Sequence, residues 1–140
     1  MISSREFLSE KLKDPKWYPS YEDAFDDCKI LKWKTLGSYQ GDHVALVEAK
    51  GGQVGFAVIG YGSCSGCDAL EGTGGEGAIA VFDGIRDGAH WEPTRAAMKV
   101  YLESHVDKEI VGTYLTTEEK TSVWPELIAA LSSTQQKVKE

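Results

Sequence analysis

The chain has 140 residues, 41% of them hydrophobic and 26% charged, which predicts one globular domain with a real core and not a disordered chain. Fifteen basic against 22 acidic residues give a net charge of −7, which lacks the basic footprint of a nucleic-acid binder and disfavours an anionic membrane surface. No apolar run approaches the ~20 residues of a membrane span, and Met1 to Phe7 shows no charged stretch leading into an apolar one, so neither a span nor a secretory leader is expected.

The chain reads as one domain, 1–140, in three parts: an N-terminal helical segment (1–35), a glycine-rich acidic centre (36–112) and a C-terminal helix (113–140). The first part is neutral, the second carries −6 and the third −1. Fourteen of the 15 glycines fall between Gly37 and Gly88, so the centre should hold the tight turns and the ends should be helical.

Ser3-Ser4-Arg5-Glu6 reads as a capping box, with Ile2 and Phe7 as a hydrophobic staple, opening a helix over about 4–13. Asp14-Pro15 ends it, and Trp17-Tyr18-Pro19 is a loop. Ser20 reads as the cap of a second helix over about 21–30, whose buried stripe is Tyr21, Ala24, Phe25 and Cys28. Residues 30–36, apolar positions alternating with Lys at their centre, then read as a strand, as do 43–49 and 54–59, with a break at Gly41-Asp42 and a hairpin turn at Lys50-Gly51-Gly52-Gln53. Gly72 to Gly77 reads as flexible. Ala78, Ile79, Phe82 and Ile85 mark a helix ending near Gly88, and His90-Trp91-Glu92-Pro93 reads as a turn. A helix over 94–104 should turn Ala97, Val100 and Tyr101 inward, and 109–114 is a short strand. Pro125 fits the first turn of a final helix that buries Trp124, Leu127, Ile128 and Leu131. The tail from Gln135 should fray. The expected class is α+β: a small antiparallel meander of three to four strands flanked by four or five helices.

The one strong chemical signal is Cys64-Ser65-Gly66-Cys67. A thiol at a helix start has its thiolate favoured, and two thiols three apart can close a disulfide, which reads as a thiol–disulfide redox protein. The thioredoxin-like arrangement of such a motif expects a βαβ setting, whereas here the motif comes after a meander. A zinc-stabilised module would need Cys28 and one of His43, His90 or His105 beside Cys64 and Cys67, and there is no second CxxC or HxxxH pair. Gly60-Tyr61-Gly62 and Gly72-Thr73-Gly74-Gly75-Glu76-Gly77 lack the parallel unit a nucleotide loop needs, and Asp68, Glu71 and Glu76 would repel phosphate. The plainest reading is an elbow. Gly62 and Gly66 let the chain reverse, Ser63 caps a short helix, Cys64 and Cys67 pack as small apolar groups, and Asp68 favours the first turn. Neither a GxSxG elbow nor a spacing that forces His90 or His105 onto a carboxylate is present. Trp17, Tyr18 and Trp91, beside prolines in predicted loops, are the candidate binding anchors.

The run Gly41-Asp42, an apolar strand, Gly55-Phe56, then Tyr61-Gly62-Ser63-Cys64-Ser65-Gly66-Cys67-Asp68-Ala69-Leu70 resembles a group of small uncharacterised bacteriophage-type proteins. In them a near-identical GSCSGCDAL segment closes a β-hairpin and is succeeded by a helix, a turn and another helix. The resemblance covers about residues 36–105. This chain departs from it in having Gly72 to Gly77 in place of a charged helical stretch. It implies a phage protein acting in the bacterial cytoplasm. The expected function is therefore a small acidic interaction protein that binds and modulates a host macromolecule or complex. No catalysis, cofactor or metal of its own is expected, and the partner should present a basic surface. The alternatives are the redox protein using Cys64 and Cys67, and the zinc-stabilised module.

Overall fold

Antiparallel pairing of the three expected strands builds a sheet, to which a fourth strand adds. The computed structural model describes residues 3–37, 41–61, 75–104 and 117–133. Within them lie β1 (Lys29–Gly37), β2 (Gly41–Glu48), β3 (Val54–Tyr61) and β4 (His90–Glu92), in that spatial order. The register pairs Lys29 with Glu48, Glu48 with Val54, and Val54 with Glu92; it slips once between Ile30 and Lys32, a bulge on the edge strand. The β2–β3 turn closes through Gly52, whose φ of 97° is the left-handed region that a side chain resists, with the Ala49 amide donating to the Gln53 carbonyl at 2.8 Å.

Successive side chains of β2 point to opposite faces, and both faces are buried. Val44 and Leu46 join one core with Val54, Phe56, Met98, Leu102, Val123, Trp124, Leu127 and Leu131. Ala45 and Val47 join the other with Leu8, Ala24, Phe25, Ala57, Ile59, Ala78, Ile79 and Phe82. The short helices α1 (Ser4–Phe7) and α2 (Ser9–Leu12), a 3-10 helix over Tyr21–Phe25, and α3 (Gly75–Gly88) cover this second face. The helices α4 (Arg95–Ser104) and α5 (Thr117–Ser133) cover the first. The α+β class holds, as a sheet between two helical layers. Each fully buried Leu or Phe contributes about 1.5–3 kcal/mol, and Leu8, Phe25, Leu46, Phe82, Leu102 and Leu127 are all below 2% exposed.

Several elements differ from the expectations. The helix expected over 4–13 is two single turns, broken at Leu8 (φ −102°, ψ 10°). Leu8 itself is fully buried, and the break lets the chain bend around it. Ser3 caps, but its hydroxyl accepts from the Arg5 amide at 3.2 Å, with no reciprocal bond from the Glu6 side chain among the described residues. The helix expected over 21–30 is a 3-10 turn ending at Phe25, because Lys29 is already paired with Glu48 in the sheet. Its stripe survives: Tyr21, Ala24, Phe25 and Cys28 all meet the second core.

Gly41-Asp42, expected to break the chain, begins β2. His90-Trp91-Glu92, expected as a turn, is β4, paired with Val54–Phe56. The last residues of the stretch read as flexible, Gly75 to Gly77, belong to α3. On α4 Met98 and Leu102 are buried and Tyr101 packs half-buried against the same core as expected, whereas Val100 is 66% exposed; packing against α5 selects that face. Pro125 lies inside α5, eight residues past its start, and not in its first turn. Trp124, Leu127 and Leu131 are buried as expected. The strand expected over 109–114 and the tail lie outside the described residues. No described helix is long and apolar enough to cross a membrane.

Candidate functional site

The elbow residues Gly62, Ser63, Cys64, Gly66, Cys67 and Asp68 lie outside the described residues. The three candidate anchors are described, and they separate into two kinds. Trp17 is half-buried against the second core, Pro19 is buried, and Tyr18 between them is 79% exposed. This loop is held at its far end, where the Asp23 carboxylate accepts from the Ser20 amide at 2.9 Å and takes an ion pair from Lys11 at 2.8 Å. The hydrogen bond from Lys11 to Asp23, and a second to Asp26, raise the Lys11 pKa, the bond to Asp23 first among the causes.

Trp91 is half-buried and integral to the sheet. Its ring lies on the backbone of Gly55, where a Cβ would stand 2.8 Å from a ring carbon. Its indole N–H donates to the Arg86 carbonyl at 3.3 Å, and its ring tilts against Phe25 at 6.4 Å.

Beside Trp91 is Arg86, which no sequence motif singled out. It projects from α3 into the second core and is 4% exposed. Its guanidinium donates to both carboxylate oxygens of Asp27, at 2.8 and 3.0 Å, and to the Ala24 carbonyl at 2.9 Å. The Phe7 and Phe25 rings flank it at 4.6 and 5.8 Å, within cation–π range. Its Nε has no hydrogen-bond partner among the described residues. Phe7 is held over it because the Ser4 amide and hydroxyl donate to Asp83 of α3 at 2.9 and 2.7 Å, which also holds the Asp83 carboxyl below its ordinary pKa. The available signal was Arg86 standing four residues after Phe82, on the apolar stripe of a helix.

Arg86 and Trp91 line a cleft of about 320 Å³, closed by Phe7, Asp27 and the β2–β3 turn residues Ala49, Lys50 and Gln53. A second, more polar groove of about 480 Å³ shares Asp27, Ala49 and Lys50 and runs past Asp26, Cys28, Lys29 and Glu48. The Cys28 thiol sits in it half-buried, 3.3 Å from Asp27. Burial first, then the Asp27 charge, pushes its pKa up to about 11, so at neutral pH it is a thiol and a poor nucleophile. Glu48 is pulled the other way: its carboxylate accepts two hydrogen bonds from Arg95, and these lower its pKa.

The two described histidines are engaged elsewhere. His43 stands between the Tyr21 and Trp33 rings, each 5.3 Å away, with Nδ1 2.9 Å from the Thr35 hydroxyl. His90 stacks on Tyr101 at 3.6 Å and meets the Glu92 carboxylate through Nε2. Among the described residues no group of three or more His, Cys, Asp or Glu side chains is arranged to hold a metal ion. Comparison with known proteins adds no relative: no family model, curated protein or solved structure matches this chain.

Proposed function

We propose that the chain is a small acidic interaction protein of phage type, which binds a host macromolecule in the bacterial cytoplasm and modulates it without catalysis of its own. The observation that carries this reading is Tyr18, an aromatic side chain left 79% exposed between a half-buried Trp17 and a buried Pro19. A large aromatic presented on an anchored loop has the form of a binding anchor, because ordering it at an interface costs little side-chain entropy. The net charge of −7, concentrated over 36–112, favours a partner with a basic surface.

The test is capture from bacterial lysate with the chain and its Tyr18→Ala variant side by side, then association kinetics with the purified partner. Tyr18→Ala should weaken binding at least about tenfold, as removal of a hot-spot aromatic does, while changing stability by less than about 0.5 kcal/mol, because the ring is exposed. Association should slow between about 50 and 150 mM salt. Equal affinity of the two chains, or rates indifferent to salt, would overturn the reading. Stoichiometric zinc in the purified protein, or disulfide reductase activity lost in Cys64→Ser, would replace it with one of the thiol alternatives.

A further inference from the structure

We infer that the cleft between Phe7 and Trp91 is a binding site for an aromatic carboxylate, with the ring held between those two side chains and the carboxylate directed at Lys50 and Arg86. This site is independent of the Tyr18 loop.

Size comes first. The cleft's 320 Å³ falls within the range of small-ligand pockets, roughly 300–1,000 Å³. Its walls are flat and apolar where Phe7 and Trp91 face it. Phe7 is tied through Ser4 to Asp83, and Trp91 is pressed onto Gly55 and bonded to the Arg86 carbonyl. Two aromatic walls favour a planar body, and the tether of Trp91 lowers the ordering cost that falls on the site.

Charge comes second. Among the described lining residues Arg86 and Lys50 carry two positive charges and Asp27 one negative, a local excess of positive charge in a chain of net charge −7. Asp27 is committed to Arg86 through both oxygens. Lys50 makes no ion pair among the described residues and stands exposed on the glycine turn. Arg86 is only 4% exposed, and its Nε donor lacks an acceptor among the described residues. Buried donors without partners are uncommon and costly. A carboxylate brought to the floor of the cleft supplies the missing acceptor, and Lys50 supplies a charge-assisted bond at the mouth.

The carboxylate can arrive on a free small molecule or at the C-terminus of a peptide ending in an aromatic residue. The experiment separates the two. The intact ¹⁵N-labelled protein is titrated with 2-naphthoate, with 2-naphthamide, and with a short peptide ending in Trp as free acid or as amide. We expect saturable shifts of the Trp91 indole N–H and of the Lys50 and Gln53 amides, with the Trp124 indole on the opposite face of the sheet unmoved. Each acid should bind about tenfold more tightly than its amide, the worth of one charge-assisted hydrogen bond. Lys50→Met, an exposed site that leaves the core alone, should narrow that acid–amide gap several-fold without changing affinity for the amide. Tighter binding of naphthoate marks a small-molecule site, and tighter binding of the peptide acid marks a chain-end site. Absence of saturation by about 1 mM would overturn the assignment. So would shifts centred on Trp124, equal affinity for acid and amide, or a gap untouched by Lys50→Met.

Discussion

Removing Asp27 should be among the most damaging single polar changes in the protein. Arg86 is 4% exposed, and its guanidinium bonds both oxygens of the Asp27 carboxylate besides the Ala24 carbonyl. In Asp27→Ala the guanidinium keeps its charge, the Ala24 carbonyl and two aromatic faces, in a site that water reaches poorly. Leaving one member of a buried pair without its partner costs about 3–5 kcal/mol. The Asp27 side chain retains 18% exposure, so some hydration of the vacated corner is expected and the lower half of that range applies. Arg86→Met removes the charge but keeps a long apolar stem against Phe7 and Phe25; the remaining carboxylate can turn to water, and the cost should be about 1–2 kcal/mol. The double variant Asp27→Ala with Arg86→Met should then be more stable than Asp27→Ala alone, because the stranded charge is gone. Urea unfolding monitored by circular dichroism measures all three, and the slope with denaturant should stay constant if only stability changes. An Asp27→Ala cost under about 1 kcal/mol, or a double variant whose cost equals the sum of the singles, would refute the reasoning.

Three further outcomes are expected. Gly55→Ala drives a Cβ to 2.8 Å from the Trp91 ring and should lower stability by about 1–3 kcal/mol through overpacking, with near-ultraviolet dichroism of the indole altered; an unchanged melting curve would contradict the close approach. Glu48 has its pKa lowered from 4.5, chiefly by the hydrogen bond from Arg95. Its contribution to stability is therefore complete above pH 4.5 and is lost as pH falls through the lowered native value. Arg95→Met should flatten the acid limb of the stability–pH curve in that window, and an identical limb in the variant would rule the linkage out. Cys28, with its pKa raised to about 11, should be alkylated slowly at pH 7.5 and faster by about tenfold per unit up to pH 10, since only thiolate reacts; peptide-resolved mass spectrometry distinguishes it from Cys64 and Cys67, and rapid modification at pH 7.5 would be the contrary result.

Local patterning determined much of this protein. Short apolar runs, two of them joined by a two-glycine turn, specify β1, β2 and β3; in β2 and β3 the runs are continuous because both faces of the sheet are covered. The stripes on α3 and α5 were equally legible, as was the 3.6-residue spacing that carries Tyr21, Ala24, Phe25 and Cys28 to the core, even though the turn there is 3-10 and not α-helical. Tertiary structure decided the remainder. His90-Trp91-Glu92 is too short to announce a strand by itself and becomes one only because Val54–Phe56 offers an edge, and because Gly55 leaves room for the indole. The inward face of α4 was settled by α5, which takes Met98 and Leu102 and leaves Val100 in water. Arg86 is the plainest instance: 59 residues from Asp27 and 79 from Phe7 in the chain, it acquires its buried ion pair and its aromatic flanks solely through the packing of α3 on the N-terminal segment. Sequence periodicity reports which side of an element is apolar; it carries no information on which distant carboxylate will neutralise a charge placed there, because that depends on non-local contacts which no local pattern encodes.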